Sequence, residues 1–145
     1  MELKHKIPDN RAKHIMSVAS LCYEIAKKQG LQERECRKAF LIGYLHDIGY
    51  SFSKENKEHP IIGYNLLRLC GDISDDILNA VKDHGDPNKE QTKFLLILNQ
   101  ADMQIKGDGN RVTVIERLDD IGERYGYDST EYINARQVAK ICGLL

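Results

Sequence analysis

Phe94-Leu95-Leu96-Ile97-Leu98-Asn99-Gln100-Ala101-Asp102-Met103-Gln104-Ile105 leaves little polar face in a helical register. A surface helix keeps its apolar side chains on one stripe, so a helix apolar nearly all round belongs in the middle of a packed protein. The segment predicts a central, largely buried helix with the rest of the chain arranged around it. Asp102 sits within this run. An unpaired carboxylate in the middle of such a helix costs several kcal/mol unless a cation or a set of donors meets it. One stretch thus sets both the fold and the first chemical question.

Working outward, the other segments read as amphipathic helices. Asp9 and Asn10 offer N-cap oxygens, and Ala12, Ile15, Met16, Val18, Ala19, Cys22, Ile25 and Ala26 recur at helical spacing until Gly30 ends the run. A second helix over 31–47 opens on Gln32, Glu33, Arg34 and Glu35 and closes on Ala39, Phe40, Leu41, Ile42, Tyr44 and Leu45, so it dives inward as it ends. Residues 48–57, with a glycine, two serines and several charges, read as a loop. Pro60 suits the first position of a third helix that runs to Gly71, with His59 at its entry. Ser74 caps a fourth helix, whose first turn carries Asp75 and Asp76 and which Asp86-Pro87 closes after His84. Past the central helix, Gly107-Asp108-Gly109-Asn110 makes a turn, and two amphipathic helices follow over 112–125 and 130–142. Strand signals are nearly absent. The expectation is an all-α, compact single-domain bundle of about seven helices over residues 1–145, with a core over 9–109 and a C-terminal pair over 110–145. The mixed-charge faces of that pair read as solvated surface, and the pair itself as a cap on the bundle or a homodimer face.

Composition narrows the chemistry. With 145 residues and a formal charge of −1 spread through the chain, nothing announces a polymeric nucleic acid partner, and any phosphate recognition must be local. The four cysteines, Cys22, Cys36, Cys70 and Cys142, lie far apart without a Cys-x-x-Cys pair, and read as reduced core thiols. No stretch approaches the roughly 20 apolar residues of a membrane span, and the charged start lacks the apolar core of a signal peptide, so a cytoplasmic address is expected. His14 lies near the start of the first helix, His46 and Asp47 at the inward end of the second, and His59 and His84 at helix ends; His5 stands outside the pattern. Imidazole nitrogens combined with carboxylate oxygens suit zinc, iron, manganese or nickel better than calcium or magnesium.

His14, then His46-Asp47, then Asp102 resembles the HD-domain superfamily of metal-dependent phosphohydrolases. The neighbours agree as well. Arg11-Ala-Lys-His14 opens the first helix, and Gly43-Tyr-Leu-His46-Asp47-Ile-Gly49 has the family's order of small, apolar, ligand and glycine positions. His59 and His84 add two ligands in the order of the two-metal branch, which includes bacterial diadenosine tetraphosphate hydrolases and cyclic dinucleotide phosphodiesterases. The resemblance implies that His14, His46, Asp47 and Asp102 hold one divalent transition metal ion and that His59 and His84 hold a second, with Asp47 bridging the pair as the central catalytic carboxylate. It implies cleavage of a phosphate ester or anhydride of a nucleotide or dinucleotide by metal-activated hydroxide.

One position departs from the pattern: many relatives carry lysine two residues after the isoleucine, where this chain has Tyr50. Tyr50, Arg11 and Lys82 are the candidate substrate contacts, with Lys54 and Lys57 as further sources of charge. Lys82, Asp83 or Asp86 are the candidate proton donors to the leaving group. Other functions on the same residues are a one-metal nucleotidase, a di-iron oxygenase acting on an organic substrate, and a non-catalytic nucleotide-binding module.

Overall fold

The computed structural model describes residues 9–51 and 59–145. The side chains of Asp9, Asn10 and Tyr50, and all of His5, Lys54 and Lys57, fall outside the described residues. Among the described residues seven α-helices follow one another: α1 (Asp9–Lys28), α2 (Glu33–Leu45), α3 (His59–Leu69), α4 (Asp75–Asp83), α5 (Lys93–Asp102), α6 (Val114–Tyr125) and α7 (Thr130–Ile141). A short 3-10 turn, Ile48–Ser51, follows α2. There is no strand among the described residues, only a single antiparallel bridge between Ile105 and Arg111. No helix among them is long and apolar enough to cross a membrane.

The all-round apolar character of α5 has the consequence read from the sequence. Phe94, Leu95, Ile97, Leu98, Asn99 and Ala101 are buried. Phe94, Ile97, Leu98 and Ala101 pack with Val18, Leu21, Cys22 and Ala26 of α1, Cys36, Ala39 and Ile42 of α2, and Ile77 and Ala80 of α4. Thr92 caps α5 by accepting from the Leu95 N–H, relieving one of the donors a helix start leaves without a partner. The buried amide of Asn99 accepts from the Gly85 N–H at 2.9 Å and donates to Gln91 Oε1 at 3.0 Å, which ties the end of α4 to the middle of α5. α1 and α2 cross closely because Gly43 faces Ala19; a Cβ at Gly43 would lie 2.7 Å from the Ala19 Cα.

Three expectations are corrected. Asp102 is not mid-helix but the last residue of α5, and its side chain is 20% exposed. The apolar run continues as buried Met103 and Ile105, yet the backbone has already left the helix there, a change that side-chain periodicity does not register. Ser74 stands at the N-cap of α4, but its hydroxyl makes no capping bond. Of the four thiols, all free, only Cys22 and Cys36 are buried, while Cys70 is exposed and Cys142 half-buried.

α6 and α7 build a second, smaller core of Met103, Leu118, Ala135, Val138 and Ala139 against the end of α5. A capping box between Thr113 and Glu116 starts α6, and the Ser129 hydroxyl caps α7. The pair therefore closes one side of the bundle, beside the point where Asp102 emerges.

Candidate metal centre

His14 lies in the second turn of α1, His46 and Asp47 directly follow α2, His59 opens α3, His84 directly follows α4, and Asp102 ends α5. Helix ends converging on one place give side chains that point inward without exposing helix backbone. Three of the imidazoles are held by their own neighbourhoods. The Nδ1–H of His14 donates to the Lys106 carbonyl at 2.9 Å, that of His46 to the Gly43 carbonyl at 2.6 Å, and that of His84 to the Val81 carbonyl at 2.6 Å. A carbonyl only accepts, so each Nδ1 carries the proton and each Nε2 is turned into the site, the orientation common to metal-bound histidine.

The Nε2 atoms meet the two carboxylates in an ordered way. Asp47 Oδ2 lies 3.6 Å from His14 Nε2 and 3.2 Å from His46 Nε2, while Asp47 Oδ1 lies 3.2 Å from His59 Nε2 and 3.6 Å from His84 Nε2. Asp102 Oδ1 lies 2.9 Å from His14 Nε2 and 3.8 Å from His46 Nε2. His59 Nε2 and His84 Nε2 are 2.8 Å apart. Two triplets result, His14 with His46 and Asp102, and Asp47 with His59 and His84; in each, the ligand atoms lie within 4.8 Å of one another.

Distance alone does not make these contacts hydrogen bonds. His46 Nε2 and Asp102 Oδ1 are buried and have no hydrogen-bond partner, although both have oppositely charged or chargeable neighbours. Both belong to one converging triplet, whose ligand atoms lie within 4.8 Å of one another. Buried polar atoms left in this way call for an ion or water, and a set of nitrogen and carboxylate donors fits a divalent transition cation.

Charge balance agrees. Burial opposes ionisation of Asp47, but the charge of His46 and the close imidazoles of His59 and His84 hold its carboxyl well below the usual range. Burial likewise opposes ionisation of Asp102, and His14, His46 and Arg117 overcome it. Burial would depress His46, yet Asp47 and Asp102 outweigh it and raise the imidazole from 6.5 to about 9. These directions give opposite pH dependences with and without metal. In chelator, stability from His46 is complete below pH 6.5 and is lost as pH rises through 9, whereas that from Asp47 and Asp102 is present above 3.8 and lost on acidification. Metal must displace the His46 proton, so its binding strengthens over the same rise. The thermal midpoint in chelator should fall between pH 6.5 and 9 while the metal-induced increase in midpoint grows; parallel melts with and without metal check this, and a metal increment that shrinks with rising pH contradicts it.

The site opens into a cleft of about 750 Å³ walled by α1, α3, α4, α6 and α7. Arg11 reaches it but is engaged with Asp47, Nη1 to Oδ2 at 3.1 Å, with its side chain 15% exposed. Lys82 also lines the cleft, its Nζ 5.3 Å from the Tyr64 ring centroid. Asp83 lines it too and keeps a buried Oδ1 without a hydrogen-bond partner, while Asp86 accepts from the Asn88 N–H.

Arg117 was not among the sequence candidates, and the C-terminal helices are not merely solvated surface. Arg117 is buried beside the site, its Nε donating to the Asp102 carbonyl oxygen at 3.2 Å and its Nη1 to Asp120 at 3.0 Å, with Nη2 3.6 Å from Asp102 Oδ1. A signal was available: Val114, Arg117, Leu118 and Ile121 share one helical stripe at i, i+3, i+4 and i+7, so this arginine stands on the apolar face of α6. Charged residues on such a stripe are buried with a partner or a task.

Ribonuclease Y of Oleidesulfovibrio alaskensis is 31% identical over 104 residues, 70% of this chain and 19% of that protein. The ribonuclease Y of Syntrophotalea carbinolica is 33% identical over 94 residues, 64% of this chain and 17% of that protein, and that of Geobacter metallireducens is 30% identical over 118 residues, 77% and 22%. The chain thus spans about a fifth of the length of these relatives. No solved structure matches it significantly. The HD domain profile matches residues 11–103, the span that runs from the start of α1 to just past Asp102 and so takes in all six converging side chains: the chain belongs to the HD domain family.

Proposed function

We propose that the chain is a metal-dependent phosphohydrolase that cleaves a phosphate ester or anhydride of a nucleotide or dinucleotide. His14, His46 and Asp102 would hold one divalent transition ion and His59 and His84 the other, with Asp47 shared between them. The observation that carries this reading is the division of Asp47, whose Oδ2 faces one histidine pair and whose Oδ1 faces the other. A histidine cannot make that bridge, and a one-ion site has no use for it. When bound, the ions supply positive charge to the phosphate oxygens and lower the pKa of a water toward neutrality.

The protein supplies position and protons. The Nδ1 bonds of His14, His46 and His84 to backbone carbonyls fix the rings before substrate arrives. Arg11 donates to Asp47 Oδ2, the same oxygen that faces His14 and His46. Lys82, Asp83 and Asp86, all on the cleft wall next to His84, are the candidate proton sources for the leaving group.

The relatives' name makes RNA the alternative substrate class. A polymer, however, needs a basic surface that tracks successive phosphates, and the chain carries a formal charge of −1. Metal analysis together with phosphate release from a panel of nucleotides, dinucleotides and a short RNA oligonucleotide tests both: turnover of the small substrates supports the first reading, cleavage of the oligonucleotide alone replaces it with the second, and inactivity on all three with each transition metal restored sinks both. His59→Ala separates two ions from one. It should lose one equivalent of metal and keep the other, since His14, His46 and Asp102 are untouched; unchanged metal content would favour a one-metal nucleotidase. Oxygen consumption in place of phosphate release would mark a di-iron oxygenase, and tight nucleotide binding without turnover a binding module.

A further inference from the structure

Of the cations on the cleft wall, Arg11 already donates to Asp47 Oδ2 and the Lys82 ammonium lies over the Tyr64 ring. The geometry points to Arg117 of α6 as the residue that binds the substrate's phosphate, a role that rests on the phosphohydrolase reading and names the chain's own phosphate-binding cation.

Two of its three nitrogens are anchored, Nε on the Asp102 carbonyl oxygen and Nη1 on Asp120. The guanidinium is therefore fixed in plane and direction before anything binds, with its side chain only 10% exposed. The third nitrogen, Nη2, stands 3.6 Å from Asp102 Oδ1, too far for a hydrogen bond. Asp102 Oδ1 is itself the atom nearest His14 Nε2, at 2.9 Å, and Arg117 lines the same cleft as His14, Asp47, His59 and His84. An anion drawn to that centre comes within reach of Nη2. Stapling of α6 to α5 accounts for Nε, and an i,i+3 pair within α6 for Nη1; Nη2 has only the 3.6 Å ion-pair contact with Asp102 Oδ1 and no acceptor at hydrogen-bonding distance.

Phosphate suits this donor. A planar guanidinium with free N–H groups recognises tetrahedral oxyanions by directed, charge-assisted bonds, which a lysine ammonium does only as a point charge. Asp102 closes the α5 helix, where the helix dipole is negative. Arg117 offsets both that end charge and the incoming phosphate.

The test uses inorganic phosphate and the 145-residue chain loaded with zinc. Calorimetry should give an Arg117→Gln protein that retains its zinc but binds phosphate on the order of tenfold to a hundredfold more weakly, with Arg117→Lys intermediate. With a nucleotide substrate the loss should fall chiefly on KM. Undiminished phosphate affinity in a folded, zinc-loaded Arg117→Gln protein overturns the assignment. Should that variant fail to fold, nitrogen-15 spectra of the wild type decide: the Arg117 side-chain N–H signals shift and saturate on phosphate titration if it binds the anion, and stay still if its role is structural. Phosphate binding through Arg117 without turnover of any nucleotide would sink the proposed reaction alone; turnover with phosphate affinity indifferent to residue 117 would sink this assignment alone.

Discussion

Asp47→Ala should reduce hydrolysis to background and remove both equivalents of bound metal, whereas His59→Ala removes one. The difference follows from one carboxylate facing two groups: Oδ2 is within 3.6 Å of His14 and His46 Nε2, and Oδ1 within 3.6 Å of His59 and His84 Nε2. Each ion would keep only neutral nitrogens, plus Asp102 on one side, and lose the anionic oxygen that makes the site attractive to a dication. The protein should still fold. His46 takes up a proton largely because Asp47 and Asp102 are beside it, so removing one of them lets the ring go neutral and spares most of the cost of a stranded buried charge. Arg11 loses its acceptor but is 15% exposed and can turn to water, leaving a destabilisation of about 1–3 kcal/mol. Metal content, turnover and a thermal melt in chelator check the three parts; retention of one full equivalent of metal would show that Asp47 does not bridge.

How much of this was legible beforehand depends on what kind of signal each residue leaves. The burial of α5 was readable because its run from Phe94 to Ala101 has no polar stripe to expose. The gathering of His14, His46, Asp47, His59, His84 and Asp102 was readable by type and order, since histidines and aspartates spread over five segments have few other reasons to meet. The exact end of α5 was not, because Met103 and Ile105 stay buried after the backbone has turned and periodicity follows burial, not hydrogen bonding. Arg117 was passed over because a mixed-charge helix is ordinarily a wet one; only its register with Val114, Leu118 and Ile121 distinguishes it, and its acceptor on Asp102 is a tertiary fact.

Gly49 combines both kinds of information and carries the second large effect. The sequence marks it as the glycine after His46-Asp47-Ile48, where a small residue can serve a turn or a close approach; the structure shows that it is the approach that matters. A Cβ there would lie 1.9 Å from the carbonyl oxygen of His59, 2.7 Å from its carbonyl carbon and 2.9 Å from the Gly63 nitrogen. All three are backbone atoms of α3, so no side-chain rotation relieves the clash, and the start of α3 must retreat by about 1.5 Å to restore ordinary contact distances. His59 moves with it. Its Nε2 stands 3.2 Å from Asp47 Oδ1 and 2.8 Å from His84 Nε2, and metal sites tolerate only about 0.2 Å in ligand distance. Gly49→Ala should therefore lose the metal equivalent that His59→Ala loses, lower turnover by about 100-fold or more, and, unlike His59→Ala, destabilise the fold by about 3 kcal/mol. Metal analysis, turnover and chemical denaturation of the two variants side by side measure this. A Gly49→Ala protein with wild-type stability and full metal content would mean that α3 does not press on the turn after Asp47, and with that contact gone His59 would have no fixed place beside Asp47.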